Sequence, residues 1–127
     1  MKEVEKSSIK VTVKSFYIEE QSEPSKDHFV FGYTIRIVNT GKTPARLMSR
    51  HWIISDADGN VHEVRGPGVV GEQPYIRAGE GFEYTSGAVL KTPIGSMRGS
   101  YHMLNEQGSE FQAEIPVFRL SVPNSIH

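Results

Sequence analysis

Phe29-Val30-Phe31-Gly32-Tyr33-Thr34-Ile35-Arg36-Ile37 decides the fold, because residues 29, 31, 33, 35 and 37 form an unbroken aromatic and aliphatic stripe. Alternation at every second residue is the signature of a strand with one face in the core. This stripe is the predicted centre of that core. On its N-terminal side, beyond a polar loop at residues 19–27, Ile9-Lys10-Val11-Thr12-Val13-Lys14 repeats the pattern with lysines and threonine facing outward. On its C-terminal side, Asn39-Thr40-Gly41-Lys42-Thr43-Pro44 is dense in turn formers and closes the strand.

The next predicted strand, residues 46–55, carries the single tryptophan and reads ambiguously. Leu47 and Ile53 fall on one face, whereas Met48, Trp52 and Ile54 fall on the other. Trp52 is placed inward, since a large aromatic buries the most area. Asp56-Ala57-Asp58-Gly59-Asn60 then reads as a hairpin with Gly59 at positive φ. A short strand at residues 61–65 leads into a glycine-rich loop. Further strands are expected at residues 81–86, 97–103 and 111–115, punctuated by turn signals at residues 78–81, 92–95 and 105–108. Pro116 marks the last strand as an edge or the site of a bulge. No apolar pattern holds helical spacing for long. About seven short antiparallel strands therefore predict an all-β sandwich of the fibronectin type III or immunoglobulin kind, with a barrel as the alternative.

At 127 residues the chain is read as one domain, with an ordered core over about residues 9–120. Net charge is -1 and the basic residues are dispersed, which argues against nucleic acid as a partner. There is no cysteine, so disulfides, thiol catalysis and cysteine-based zinc sites are excluded, in keeping with a reducing compartment. The charged start, Met1-Lys2-Glu3-Val4-Glu5-Lys6-Ser7-Ser8, is not followed by the apolar run of a signal peptide, and no window suits membrane insertion. A cytoplasmic protein is expected. His127 at the C-terminus is expected to be mobile.

Gly66-Pro67-Gly68-Val69-Val70-Gly71-Glu72-Gln73-Pro74 contains a GxGxxG spacing. A dinucleotide fingerprint requires a helix opening behind it, and Pro74 opposes one. Gly66, Gly68 and Gly71 remain an anion-nest candidate, weakened by the missing N–H of Pro67. The other reading is a connection that offers Val69 and Val70 to a partner protein. Gly41-Lys42-Thr43 lacks the upstream glycine of a phosphate loop, and Pro44 again blocks the helix. The Asp56 hairpin begins like a calcium loop but has Val61 and Pro67 where glycine and glutamate belong. With His62 and Glu63 it reads as solvated turn residues, and no metal site or cofactor is assigned. His51, His62 and His102 show no zinc-ligand spacing. Ser49 and His51 share one side of a strand without a nucleophile elbow, so no catalytic residues are assigned.

Taken together, Ser49-Arg50-His51-Trp52-Ile53-Ile54, Asp58-Gly59, Gly68-Val69-Val70-Gly71-Glu72-Gln73-Pro74, Tyr84-Thr85-Ser86-Gly87, Met97-Arg98-Gly99-Ser100-Tyr101 and the ending Ile115-Pro116-Val117-Phe118 resemble the bacterial ApaG family in order and spacing. The resemblance implies a fibronectin type III-like sandwich. It also implies kinship with domains of an F-box protein and of a partner of DNA polymerase delta, where the module looks like a protein-interaction unit. In bacteria the family is linked to cobalt tolerance and magnesium efflux, and its gene often neighbours that of a diadenosine tetraphosphate hydrolase. It brings no catalytic residues. The expectation is a non-enzymatic protein-binding module, with Arg50, His51, Arg65, Val69, Val70, Glu72 and Gln73 as contact candidates. The alternative is a sensor of a nucleotide, through the glycine loop, or of a divalent cation.

Overall fold

The computed structural model of the chain describes residues 8–124; the charged N-terminal run before Ser8, and His127, lie outside the described residues. Eight strands are found among them: β1 (Ile9–Tyr17), β2 (Phe29–Asn39), β3 (Ala45–Asp56), β4 (Val61–Pro67), β5 (Tyr75–Ile76), β6 (Gly81–Leu90), β7 (Ile94–Asn105) and β8 (Glu110–Ser121). They form two antiparallel sheets, β1-β2-β6 and β4-β3-β7-β8, with β5 pairing β3 beyond the end of β4. This is the all-β sandwich that the alternation predicts. The strand beyond the expected seven is the two-residue β5, too short to leave a pattern. Among the described residues no helix is long and apolar enough to cross a membrane.

The odd-numbered stripe of β2 is buried throughout, with Phe31, Ile35 and Ile37 fully enclosed. Val30, on the opposite face, is buried too. The connection after β1 folds over it, where the Ile18 N–H donates to the Val30 carbonyl and the Val30 N–H to Ser22 Oγ. Buried side chains run from Ile9 to Leu120.

The ambiguity in β3 has a definite cause. Leu47 pairs with Met103 and Ser49 with His102, so Met48 is an extra residue against β7. A bulge of this kind shifts the face of everything after it. Leu47 and Trp52, on opposite faces of an ideal strand, therefore both point into the core, at 0% and 3% exposure. A second bulge sets Met97 opposite Phe118 and Gly99 opposite Ile115, with Pro116 and Val117 in the longer interval of edge strand β8. Both readings of Pro116, edge and bulge, hold. Phe118 thereby packs with Trp52 and Tyr33, ring centroids 5.4 to 5.9 Å apart.

One side of the sandwich is closed where β1 meets β8, the Ser15 hydroxyl donating to the Arg119 carbonyl at 2.8 Å. The other side, bounded by β6 and β4, is open. Val64 stands opposite Trp52 on the core-facing side of β4, yet is 40% exposed because the narrower sheet ends before reaching it.

Candidate functional site

Residues 66–73 are not one loop. Gly66 and Pro67 lie within β4, paired with Arg50 and Ser49. The connection proper starts at Gly68, whose N–H donates to the carbonyl of the bulged Met48 at 2.8 Å. Gln73 Nε2 donates to the same oxygen at 2.9 Å. The Met48 bulge and the connection thus hold each other in place. Between them, Val69 and Glu72 exchange backbone hydrogen bonds of 2.8 and 2.9 Å around a tight turn, with φ of +42° at Val70 and +82° at Gly71. Such two-residue turns favour Asn-Gly, and a β-branched residue at positive φ is strained.

This geometry corrects two expectations. Val69 is 1% exposed and belongs to the core, so it offers nothing to a partner; Val70, 53% exposed, is the turn's only apolar contact candidate. Nor do the three glycines make an anion nest. Gly66 lies in a strand, Pro67 has no N–H and the Gly68 N–H is donated to the Met48 carbonyl, so the Gly71 amide in the turn has no neighbouring glycine amide to converge with.

What the connection turns toward the sandwich is carbonyl oxygen. Arg50 Nη1 donates to the carbonyls of Pro67 and Gly68, each at 2.9 Å. Its guanidinium lies across Gly66, where an added Cβ would meet Nη2 at 2.9 Å. Arg50 shares its face with Trp52, and through the bulge with Leu47, and stands opposite Tyr101, which makes it a core-facing cation at the open side. It lines a cleft of about 350 Å³ between the sheets, with Tyr33, Trp52, Val70, Tyr84 and Ser86. Below, the Tyr84 and Tyr101 hydroxyls are hydrogen-bonded at 2.5 Å. Burial pushes the phenols of Tyr33, Tyr84 and Tyr101 above the usual tyrosine range, while Arg50 draws each of them back.

His51 and Arg65 point the other way, to the solvent face. Both contact Glu63 Oε1, His51 Nε2 at 2.8 Å and Arg65 Nη2 at 3.3 Å. The hydrogen bond from His51, more than Arg65, holds the Glu63 carboxyl below the usual range. His51 and His102 line one shallow groove of about 270 Å³, and His102 approaches Glu110 at 3.2 Å. His62, opposite Ile54, is not part of it. Glu72 and Gln73 are exposed. The contact candidates therefore split between the inner cleft, the outer sheet face and the turn.

Asp56 is occupied by its own hairpin: Oδ1 accepts the N–H groups of Asp58 and Asn60, and Oδ2 accepts from Asn60 Nδ2 at 3.1 Å. Among the described residues no three His, Asp or Glu side chains converge as metal ligands. The cleft residues Tyr33, Trp52, Tyr84 and Ser86 read in the sequence as strand or core alone. The signal that would have exposed them is Arg50 within a core-facing run.

The family model of the ApaG domain (DUF525) matches residues 19–105. The Protein ApaG of Thiobacillus denitrificans is 55% identical over 127 residues, covering all of both chains. That of Pseudomonas aeruginosa is 56% identical over 119 residues, or 94% of each. A crystal structure of a protein from Bordetella pertussis, described as a putative ApaA protein, superposes with a TM-score of 0.89 at 53% identity. It covers 92% of this chain and 95% of that one.

Proposed function

The chain belongs to the ApaG domain family, and from that premise we propose that it is a non-enzymatic module that docks another protein along the open side of its sandwich. The observation that carries this reading is the unpaired edge of β4, with exposed valines on both of its faces, Val61 opposite Ser55 on the solvent face and Val64 opposite Trp52 on the core-facing side. Val61 is 57%, Val64 40% and Val70 53% exposed, along β4 and the turn that follows it. β4 pairs only with β3 among the described residues, so one of its edges presents unpaired backbone groups. An edge with apolar side chains is a template for an added strand, in which main-chain hydrogen bonds supply affinity and side-chain pockets supply selectivity.

On this reading the family's link to cobalt and magnesium acts through the docked protein, since the hairpin acids are engaged by local hydrogen bonds. Photo-crosslinking residues at Val61, and separately at exposed Thr12 on β1, test it in cells. A discrete adduct from Val61, absent from Thr12 and lost when Val64→Glu is added, is expected. Identical adducts from both positions, or none, would refute it.

A further inference from the structure

The core-facing run of β3, Ala45, Leu47, Arg50, Trp52 and Ile54, carries one charge. Arg50 is half-buried and makes no ion pair among the described residues. A guanidinium has five N–H donors, and here Nη1 is engaged by two carbonyls while Nη2 and Nε meet no acceptor among the described residues. A cation drawn partly out of water without a counter-ion carries a desolvation penalty that an incoming anion relieves. The connection holds the side chain rigidly, so an arriving anion meets a preorganised partner.

The surroundings select the kind of anion. A phosphate group is best met by several cations or by a cradle of amide donors. This cleft has one arginine, and the neighbouring amides of Gly68, Val69 and Glu72 are engaged. A single carboxylate matches one guanidinium in charge and in planar geometry. Tyr33, Trp52 and Tyr84 lie buried beneath the opening, and exposed Val70 at its rim supplies apolar surface, which suits a small apolar group attached to that carboxylate.

We propose that the cleft between β3 and β6 binds a carboxylate borne by an extended segment of another protein, with Arg50 pairing the carboxylate and Val70 at the rim meeting its apolar neighbour. The inference rests on the protein-docking reading and names the chemistry of the partner.

Fluorescent octapeptide pools, randomised except for Glu, Gln or phosphoserine fixed at the centre, test it directly, each with free and amidated C-terminus. The whole chain is used, and folding of every variant is verified by its amide spectrum. Wild type is expected to bind the amidated Glu pool about tenfold more tightly than the Gln pool. Tighter binding of free than of amidated peptides, equal for the Glu and Gln pools, would assign the carboxylate to a chain end rather than a side chain and keep the site. Arg50→Gln abolishes the preference and Arg50→Lys retains part of it. Ser86→Glu, which supplies a carboxylate from the opposite wall, removes it without loss of fold. Sodium acetate shifts the Arg50 Nε–H resonance where sodium chloride does not.

Equal binding of Glu and Gln pools whether the C-terminus is free or amidated, a preference that survives Arg50→Gln, or a dominant phosphoserine pool overturns the inference. Overturned with the Val61 crosslink intact, it leaves edge docking standing. A Glu preference without any crosslink has the opposite meaning, a carboxylate cleft on a chain that does not dock through β4.

Discussion

Gly99→Ala separates steric from conformational uses of glycine in this fold. Gly99 pairs with Trp52 beside the β7–β8 bulge. A Cβ there would overlap the His51 carbonyl oxygen, with the His51 carbonyl carbon at 3.1 Å and Trp52 Cα at 3.2 Å. All three are backbone atoms, so no side chain can swing aside. Relief requires β3 and β7 to part by about 1 Å, enough to take a normal ladder hydrogen bond beyond its useful length. Two weakened bonds at about 1 kcal/mol each, with overpacking strain of roughly 1–3 kcal/mol, are offset by about 0.4–1 kcal/mol from the stiffer unfolded chain. The expected loss is about 3 kcal/mol, or roughly 10–15 °C in melting temperature for a domain of this size. Gly59→Ala is the control. Its φ is +87° and nothing lies within 4 Å of its Cβ position, so it incurs only the left-handed penalty, about 1–2 kcal/mol. Urea unfolding followed by Trp52 fluorescence measures both. If Gly99→Ala is no more destabilising than Gly59→Ala, the close approach of β3 and β7 is not what requires a glycine there.

Two further outcomes follow from the buried phenols and the turn. Tyr33, Tyr84 and Tyr101 have raised pKa values in the folded state, so their contribution to stability is complete below the unfolded value, about pH 10. It declines as pH rises from there toward the folded values, by up to about 1.4 kcal/mol per pH unit for each tyrosine. Urea midpoints measured across that alkaline range should fall steeply, and Tyr84→Phe should flatten the fall; phenolate absorbance from more than two of the five tyrosines at the free-tyrosine pH, with the fold intact, would contradict this. Val70→Asn suits the positive-φ turn better and gives up little buried area, so stability should hold or rise by up to about 1 kcal/mol. Loss of the Val61 crosslink in that more stable variant would mean the strained valine is kept for docking, whereas destabilisation beyond about 1 kcal/mol would remove the strain argument.

The two-sheet architecture was legible because alternation in β2 and β1 is clean and the turn residues fall where hairpins need them. β3 was not, since its pattern contains two phases joined at Met48, and no single parity fits Leu47 and Trp52 together. The cleft was missed for a different reason. Arg50 has the parity of Trp52, which the sequence places inward, but an arginine in a core-facing run gives no sign of what it meets; the register against Tyr101 turns Arg50 inward while His51 stays outside. Val69 was misplaced for a related reason. Glycine neighbours suggested an exposed loop tip, but the tight turn at Val70 and Gly71 folds back and presses Val69 into the core.

The GxGxxG spacing is the sum of three separate steric requirements, none involving a nucleotide. Gly66 leaves room for the Arg50 guanidinium. Gly68, at φ +58°, has no space for a Cβ against the Glu72 carbonyl. Gly71, at φ +82°, completes the turn. A nucleotide loop uses glycines to bring amide donors to an anion. Here they bring carbonyl acceptors to a cation, with Pro67 supplying one of those carbonyls and no competing N–H. The polarity of the motif is thereby reversed. Its product is a fixed guanidinium at the mouth of an aromatic cleft, so the anion that the glycine spacing suggests belongs on Arg50, on the far side of the connection from any phosphate nest.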